Sequence, residues 1–159
     1  MEHVPDVERA FKEMARVTKE GGVIYCVASP LWNSRFGHHK GDLFGKFPWI
    51  HLYMTEAEIL EMCANQGVVD PTGHCSMDAH VRYMLNSQYF NKTPAQRYVS
   101  TCRTLSNIQV VENSLSLESD DLLTPELYSI LNAKGYSREE LLAVTHTFIG
   151  RKQEAGSTA

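Results

Sequence analysis

The stretch EHVPDVERAFKEMARVTKEGGVIYCVASP, residues 2–30, decides the fold. Pro5 and Asp6 read as a helix start. Val7, Ala10, Phe11, Met14 and Val17 then recur at helical spacing, with Glu8, Arg9, Lys12, Glu13 and Arg16 between them. Lys19 sits in the last turn, where it favours the negative end of the helix dipole. Gly21 and Gly22 are expected to stop the helix, because glycine accepts the left-handed conformation of a C-cap. The run VIYCVA (23–28) follows at once and is apolar nearly throughout. Such a run predicts a strand covered on both faces, as in a parallel sheet flanked by helices.

Working outward, Thr55 reads as an N-cap with Glu58 completing a capping box, and the helix at 55–67 ends at Gly67. A loop covers 70–79. Residues 80–105 carry a mixed helical pattern that breaks near Pro94. IQVVENSLSL (108–117) alternates and predicts a strand with one wetter face. TPELYSILNAKG (124–135) opens with proline at the first helical position and closes on glycine. Ser137 and Glu140 form a second capping-box pattern, and THTFIGRK (145–152) alternates as a final strand. The last two strands alternate as strands near a sheet edge do. Helices alternating with strands predict an α/β layered sheet. One domain is expected over 1–152, with a helical insert at about 70–105 and a flexible tail at 153–159.

Bulk properties exclude several classes. A chain of 159 residues suits a single domain, and 43% hydrophobic with 21% charged residues is a globular composition. A net charge of −4 with mixed signs argues against nucleic-acid or anionic-membrane partners. No leader-like apolar segment and no membrane-length apolar run occur. Cys26, Cys63, Cys75 and Cys102 are widely spaced, without a Cys-x-x-Cys pair. A cytoplasmic protein with free thiols is therefore expected.

Residues 2–30 resemble the second half of class I S-adenosylmethionine-dependent methyltransferases. Glu2-His3-Val4 is similar to the end of that family's fourth strand, Ala15-Arg16-Val17 to the following helix end, and Lys19-Glu20-Gly21-Gly22 to the turn into the fifth strand. Glu20 stands where the family usually has proline. The resemblance implies a partial Rossmann-like sheet: the fifth strand at 23–28, the sixth at 108–117, and a seventh at 145–152 that inserts antiparallel. No Gly-x-Gly-x-Gly occurs. The glycine turn and acidic residue that hold the cofactor in the family would precede Met1. The chain is thus expected to be a C-terminal portion, with S-adenosylmethionine as the parent family's cofactor and none bound by this chain alone. A sheet cut there leaves an open edge, so homo-oligomerisation or a complementing chain is expected.

The segment SPLWNSRFGHHKGDLFGKFPWIHL (29–52) holds both tryptophans and three of the seven histidines. It resembles histidine-rich loops in a bacterial subgroup of the family. A loop at that place lies at the carboxyl ends of the strands, where α/β sheets bind ligands. His38, His39 and His51 are candidate general bases toward a small-molecule acceptor, because imidazole titrates near neutral pH. The alternative is that one imidazole caps a backbone group and the other is solvated. Trp32, Phe36 and Trp49 are candidate walls of a substrate pocket, or packing rings. The resemblance implies that His3 lies beside the cofactor; a helix-entry residue is the plainer reading. His74, Cys75, Asp78 and His80 offer ligand types, but not the tight pairs by which structural zinc announces itself, so no metal is expected. Arg82, Tyr83, Tyr89, Phe90, Lys92, Arg97, Tyr98 and Arg103 interleave charge with rings, as a substrate lid or an amphipathic contact surface would. The competing function is a non-catalytic module that binds a ligand or oligomerises.

Overall fold

The structure is a computed structural model and describes residues 1–86 and 88–154. The elements run α1 (Val7–Val17), β1 (Val23–Ala28), α2 (Gly41–Phe44), α3 (Ile50–Tyr53), α4 (Glu56–Gln66), α5 (Met77–Asn86), α6 (Ala95–Arg103), β2 (Ile108–Leu117), α7 (Pro125–Ala133), α8 (Arg138–Leu142) and β3 (Ala143–Lys152). The fold is mixed α/β. The tail at 155–159 lies outside the described residues.

The strands form one sheet in the order β1-β3-β2. β3 is antiparallel to both neighbours, with Cys26 opposite Phe148 and Asn113 opposite the same residue on the other side. The antiparallel β3 is what the resemblance implied for the final strand, whereas the parallel neighbour read for β1 from its apolar run is not found among the described residues. β3 is also the central strand rather than one near an edge, so its alternation reflects two unlike sheet faces instead of edge exposure.

One face is packed. Val7 and Phe11 of α1, and Ala95, Tyr98 and Cys102 of α6, close over Ile24, Ala28, Ile108 and Phe148. Phe11 and Phe148 meet edge to face at 5.5 Å, the arrangement that aromatic quadrupoles favour. Gly150 sits under this layer. An added Cβ there would come within 2.6 Å of Ile108 and 2.7 Å of the Phe148 ring.

The other face is bare along β1, where Val23, Tyr25 and Val27 are 62%, 69% and 40% exposed. The expectation that β1 is covered on both faces is therefore corrected. An apolar run records what a strand can bury, and the described residues supply cover to one side alone.

Local signals explain most element ends. Asp6 caps α1 by accepting from Arg9 N–H, and Thr55 and Glu58 form the full reciprocal box on α4. Gly67 closes α4 at φ 66°. Thr124 caps α7, with Pro125 in the first turn. Two ends differ from expectation. α1 stops at Val17 on an extended Thr18, so Gly21 and Gly22 do not cap it. Gly21, at φ 71°, instead turns the chain into the sheet and donates to the Lys152 carbonyl. The second capping box is half formed: Ser137 accepts from Glu140 N–H, while the Glu140 carboxylate accepts from Ala95 N–H at 2.5 Å and from Asn33. It thereby caps α6, whose own N-cap residue, Pro94, has no side-chain donor or acceptor to offer. All four cysteines are free.

Candidate functional site: a histidine and aromatic cluster

β1 ends at Ala28, and the chain leaves through a cis Ser29–Pro30 peptide into the tryptophan- and histidine-rich segment. That segment is tightly built. Leu31 N–H donates to the Val144 carbonyl, Ser34 turns back on Leu31, and Gly37 N–H donates to Ser34. Gly37 has no room for a side chain: its Cβ would lie 2.1 Å from the Trp32 carbonyl oxygen. The second half of the loop closes on the first. Trp49 N–H donates to the Arg35 carbonyl, and His51 Nε2–H donates to the Trp32 carbonyl at 2.7 Å. The rings gather because backbone carbonyls at 32 and 35 are satisfied by residues 49 and 51, which folds the loop onto itself.

The candidate residues separate into an inner and an outer group. Trp49 is 1% exposed and its indole N–H donates to the Leu141 carbonyl. It joins Trp32, Leu131 and Leu141 in a small core, the packing role. His38 is fully buried and His51 nearly so. Their ring centroids are 4.9 Å apart. His38 Nδ1 accepts from Lys40 N–H, which puts its proton on Nε2. The His51 bond to Trp32 leaves its Nδ1 as a bare lone pair. His38 Nε2 and His51 Nδ1 are buried without a hydrogen-bond partner. Burial pushes His38 down to about 4, with the neighbouring His39 adding to the effect, and His51 down to about 3, helped by His38. Both rings are neutral at pH 7.

The outer group reaches solvent. His39 is half-buried in a left-handed backbone at φ 57° and donates from Nε2 to the Pro30 carbonyl at 3.3 Å. Burial lowers its pKa also. His3 is exposed, donates from Nδ1 to the Tyr89 carbonyl, and lies 5.0 Å from His39, ring to ring. Phe36 is half-buried beneath the Arg35 guanidinium. Residues 2–4, expected to end a strand, instead sit by a turn in which Val4 N–H donates to Met1. Asn91 holds that turn by donating to the Met1 and Val4 carbonyls.

Phe90, read from the sequence only as one ring of a candidate lid or contact surface, is what joins that insert to the histidine loop. Its ring centre lies 4.9 Å from His39, 5.4 Å from Trp32, and 5.5 Å from both His3 and Tyr83. It joins three segments that are remote in the chain, and no local pattern marks that. Lys92 Nζ stands 4.8 Å over Trp32 and Lys40 Nζ 5.0 Å over Tyr83, so cations rim the aromatic patch. Tyr98, by contrast, is a core ring under the sheet.

A family model described as "Methyltransferase domain" matches residues 1–26. This end of the chain is methyltransferase-like. No curated protein and no solved structure matches the chain. The methyltransferase-like segment carries His3 and delivers β1 to the base of the cluster. A glycine-rich turn that lets backbone approach a nucleotide is missing from the sequence. His3 spends its Nδ1 proton on Tyr89 and its ring on His39 and Phe90. Glu2, His3 and His39 bring one ligand atom each within 4.8 Å of one another, a two-histidine and one-carboxylate set. One Glu2 oxygen is already held by the Met1 amine at 3.0 Å.

Proposed function

We propose that the chain is the acceptor-side, C-terminal part of an S-adenosylmethionine-dependent methyltransferase that acts on a small molecule. The observation that carries the reading is the sheet. An antiparallel β3 stands between β1 and β2, with one face covered and the sheet open at β1, directly after the methyltransferase-like segment. The resemblance noted above has a final strand that inserts antiparallel, as β3 does. The open edge of β1 is then where a further strand, from a preceding segment or a complementing chain, completes the cofactor half.

On this reading the His3–His39–Phe90 patch faces the acceptor. His39 keeps a lone pair on Nδ1 and stays neutral, so it can take a proton from a bound hydroxyl or amine. Phe90, Trp32 and Phe36 exclude water, and Lys40 and Lys92 favour an acceptor that carries negative charge. His38 and His51 hold the loop in place from inside. The protein's part in such a transfer is positioning, since the cofactor brings the reactive sulfonium.

Isothermal titration tests the reading. The chain alone is expected to show no saturable heat with S-adenosylmethionine or S-adenosylhomocysteine. Tight binding by a monomer would mean that the cofactor half is not needed. The in-frame DNA upstream of Met1 discriminates further. A strand, glycine-rich turn and helix encoded there supports the enzyme. A stop codon supports a second reading, favoured by the bare apolar face of β1: a non-catalytic module that binds a ligand or oligomerises.

A further inference from the structure

A second cluster lies away from the histidine loop, between the turn at 70–76 and α5. Asp70, Cys75 and His80 each offer one ligand atom, and these atoms all fall within 4.8 Å of one another. The sequence spacing, four residues between each pair, is not that of a zinc finger. The turn makes the meeting. Asp70 accepts from Thr72 N–H at 2.9 Å and from the Thr72 hydroxyl, and its second oxygen accepts from Cys75 N–H at 2.9 Å. Those bonds wrap residues 70–75 around one carboxylate and bring Cys75 to the start of α5. His80 then projects back from the second turn of the helix. Its Nε2 lies 3.4 Å from Asp70 Oδ2, yet it is buried and without a hydrogen-bond partner. The neighbours that sequence reasoning grouped with this cluster are otherwise engaged or outside it: Asp78 pairs with Arg82, and His74 is exposed.

We infer that Asp70, Cys75 and His80 form a binding site for a borderline-soft divalent cation of the zinc type. The donor set is one carboxylate, one thiolate and one imidazole, the mixture that zinc takes in preference to calcium or magnesium. Tetrahedral zinc with bonds of about 2.0–2.3 Å sets its ligands roughly 3.3–3.8 Å apart. The three donors need a contraction of about 1 Å, within the reach of one exposed cysteine side chain. Thr72 supplies the outer hydrogen bond that orients the carboxylate, as outer-shell groups do in metal sites. Three protein donors leave the fourth position for water or an exogenous anion. The site is therefore open rather than a closed structural knot, and it ties the turn to α5. It is independent of the methyltransferase reading.

Cobalt titration of the reduced, chelator-treated chain tests this. One equivalent of Co²⁺ is expected to give tetrahedral d–d bands together with a thiolate charge-transfer band, both displaced by one equivalent of Zn²⁺. Cys75→Ser should abolish the charge-transfer band, even though Cys26, Cys63 and Cys102 remain. His80→Gln should weaken binding at least tenfold, and His74→Ala should leave it unchanged. Circular dichroism of the metal-free variants reports whether they fold, and a folded Cys75→Ser chain is the decisive case. Retention of the charge-transfer band in that variant overturns the assignment. So does a wild-type chain that takes up no stoichiometric cobalt, or a loss of binding in His74→Ala equal to that in His80→Gln.

Discussion

His38, His51 and His146 are buried imidazoles whose neutrality the fold enforces. Burial lowers His38 and His146 to about 4 and His51 to about 3. His146 donates from Nε2 to Asn113 Oδ1 under the sheet, and its Nδ1 has no partner. An unfolded chain titrates these rings near 6.5. Below that value the unfolded state takes up protons that the folded state refuses, so the unfolded state gains. Their stabilising contribution is complete above about pH 6.5 and is lost as the pH falls toward and through about 4. Each unit of depression corresponds to about 1.4 kcal/mol, so the three together predict a loss of several kcal/mol by pH 4.5. Urea denaturation at pH 7.5, 6.5 and 5.5 measures its onset, above the range in which ordinary carboxylates titrate. His51→Gln should flatten the slope, and a flat wild-type profile would refute buried neutral rings. Gly37 gives a second test at this scale. Gly37→Ala forces its methyl against the Trp32 carbonyl and should cost about 1–3 kcal/mol, with a changed near-ultraviolet dichroism from Trp32. Gly41→Ala, whose methyl meets nothing within 4 Å, is the neutral comparison.

At the scale of elements, caps and turns join pieces that the chain separates. Glu140 belongs to the first turn of α8, yet its carboxylate accepts from the first N–H of α6 and from Asn33 in the histidine loop. Glu140→Ala removes the one oxygen, Oε1, that accepts both bonds and should destabilise by roughly 1–3 kcal/mol. Glu140→Gln keeps an acceptor oxygen and should cost less. A double cycle with Asn33→Ala should show coupling; additive effects would mean that the two bonds do not share the carboxylate. This case also shows what was legible. Ser137 followed by Glu140 predicted a cap correctly, because Ser137 reaches a backbone N–H three residues away. The destination of Glu140 lies 45 residues back, beyond any local pattern. The same limit explains the sites. His39, Trp32 and Phe36 stood out because one loop carries them, and that loop does surround a cluster. Asp70 did not stand out, and Phe90 stood out only as one ring of the insert rather than as a neighbour of His39, since their partners arrive through tertiary folding. α1 was legible from periodicity and β1 from its continuous apolar run, whereas the cover on β1 was not, because a strand's own residues do not say what packs on it.

For the whole molecule, the unlike faces of the sheet argue for a partner. On the bare face, Val23, Tyr25 and Val27 stand beside Arg151, Ile149 and Thr147 of β3, and the far strand continues with Glu112 and Ser114. The exposed apolar residues of β1 lie at its open edge, with Glu112 and Ser114 of β2 across the face. Apolar surface placed next to unpaired backbone is the combination that sheet edges normally avoid. A second copy, or the chain that completes the proposed methyltransferase, would cover both features at once. Light scattering after size exclusion is expected to show more than one copy at high concentration. Tyr25→Lys with Val27→Lys places charge on this face. It should shift the assembly to monomer while leaving the melting temperature of the dilute chain nearly unchanged, because both side chains project from the sheet's uncovered face. An unaltered chain that remains monomeric at high concentration would remove the edge-pairing proposal. A double variant that unfolds would show instead that this face is covered within the chain itself.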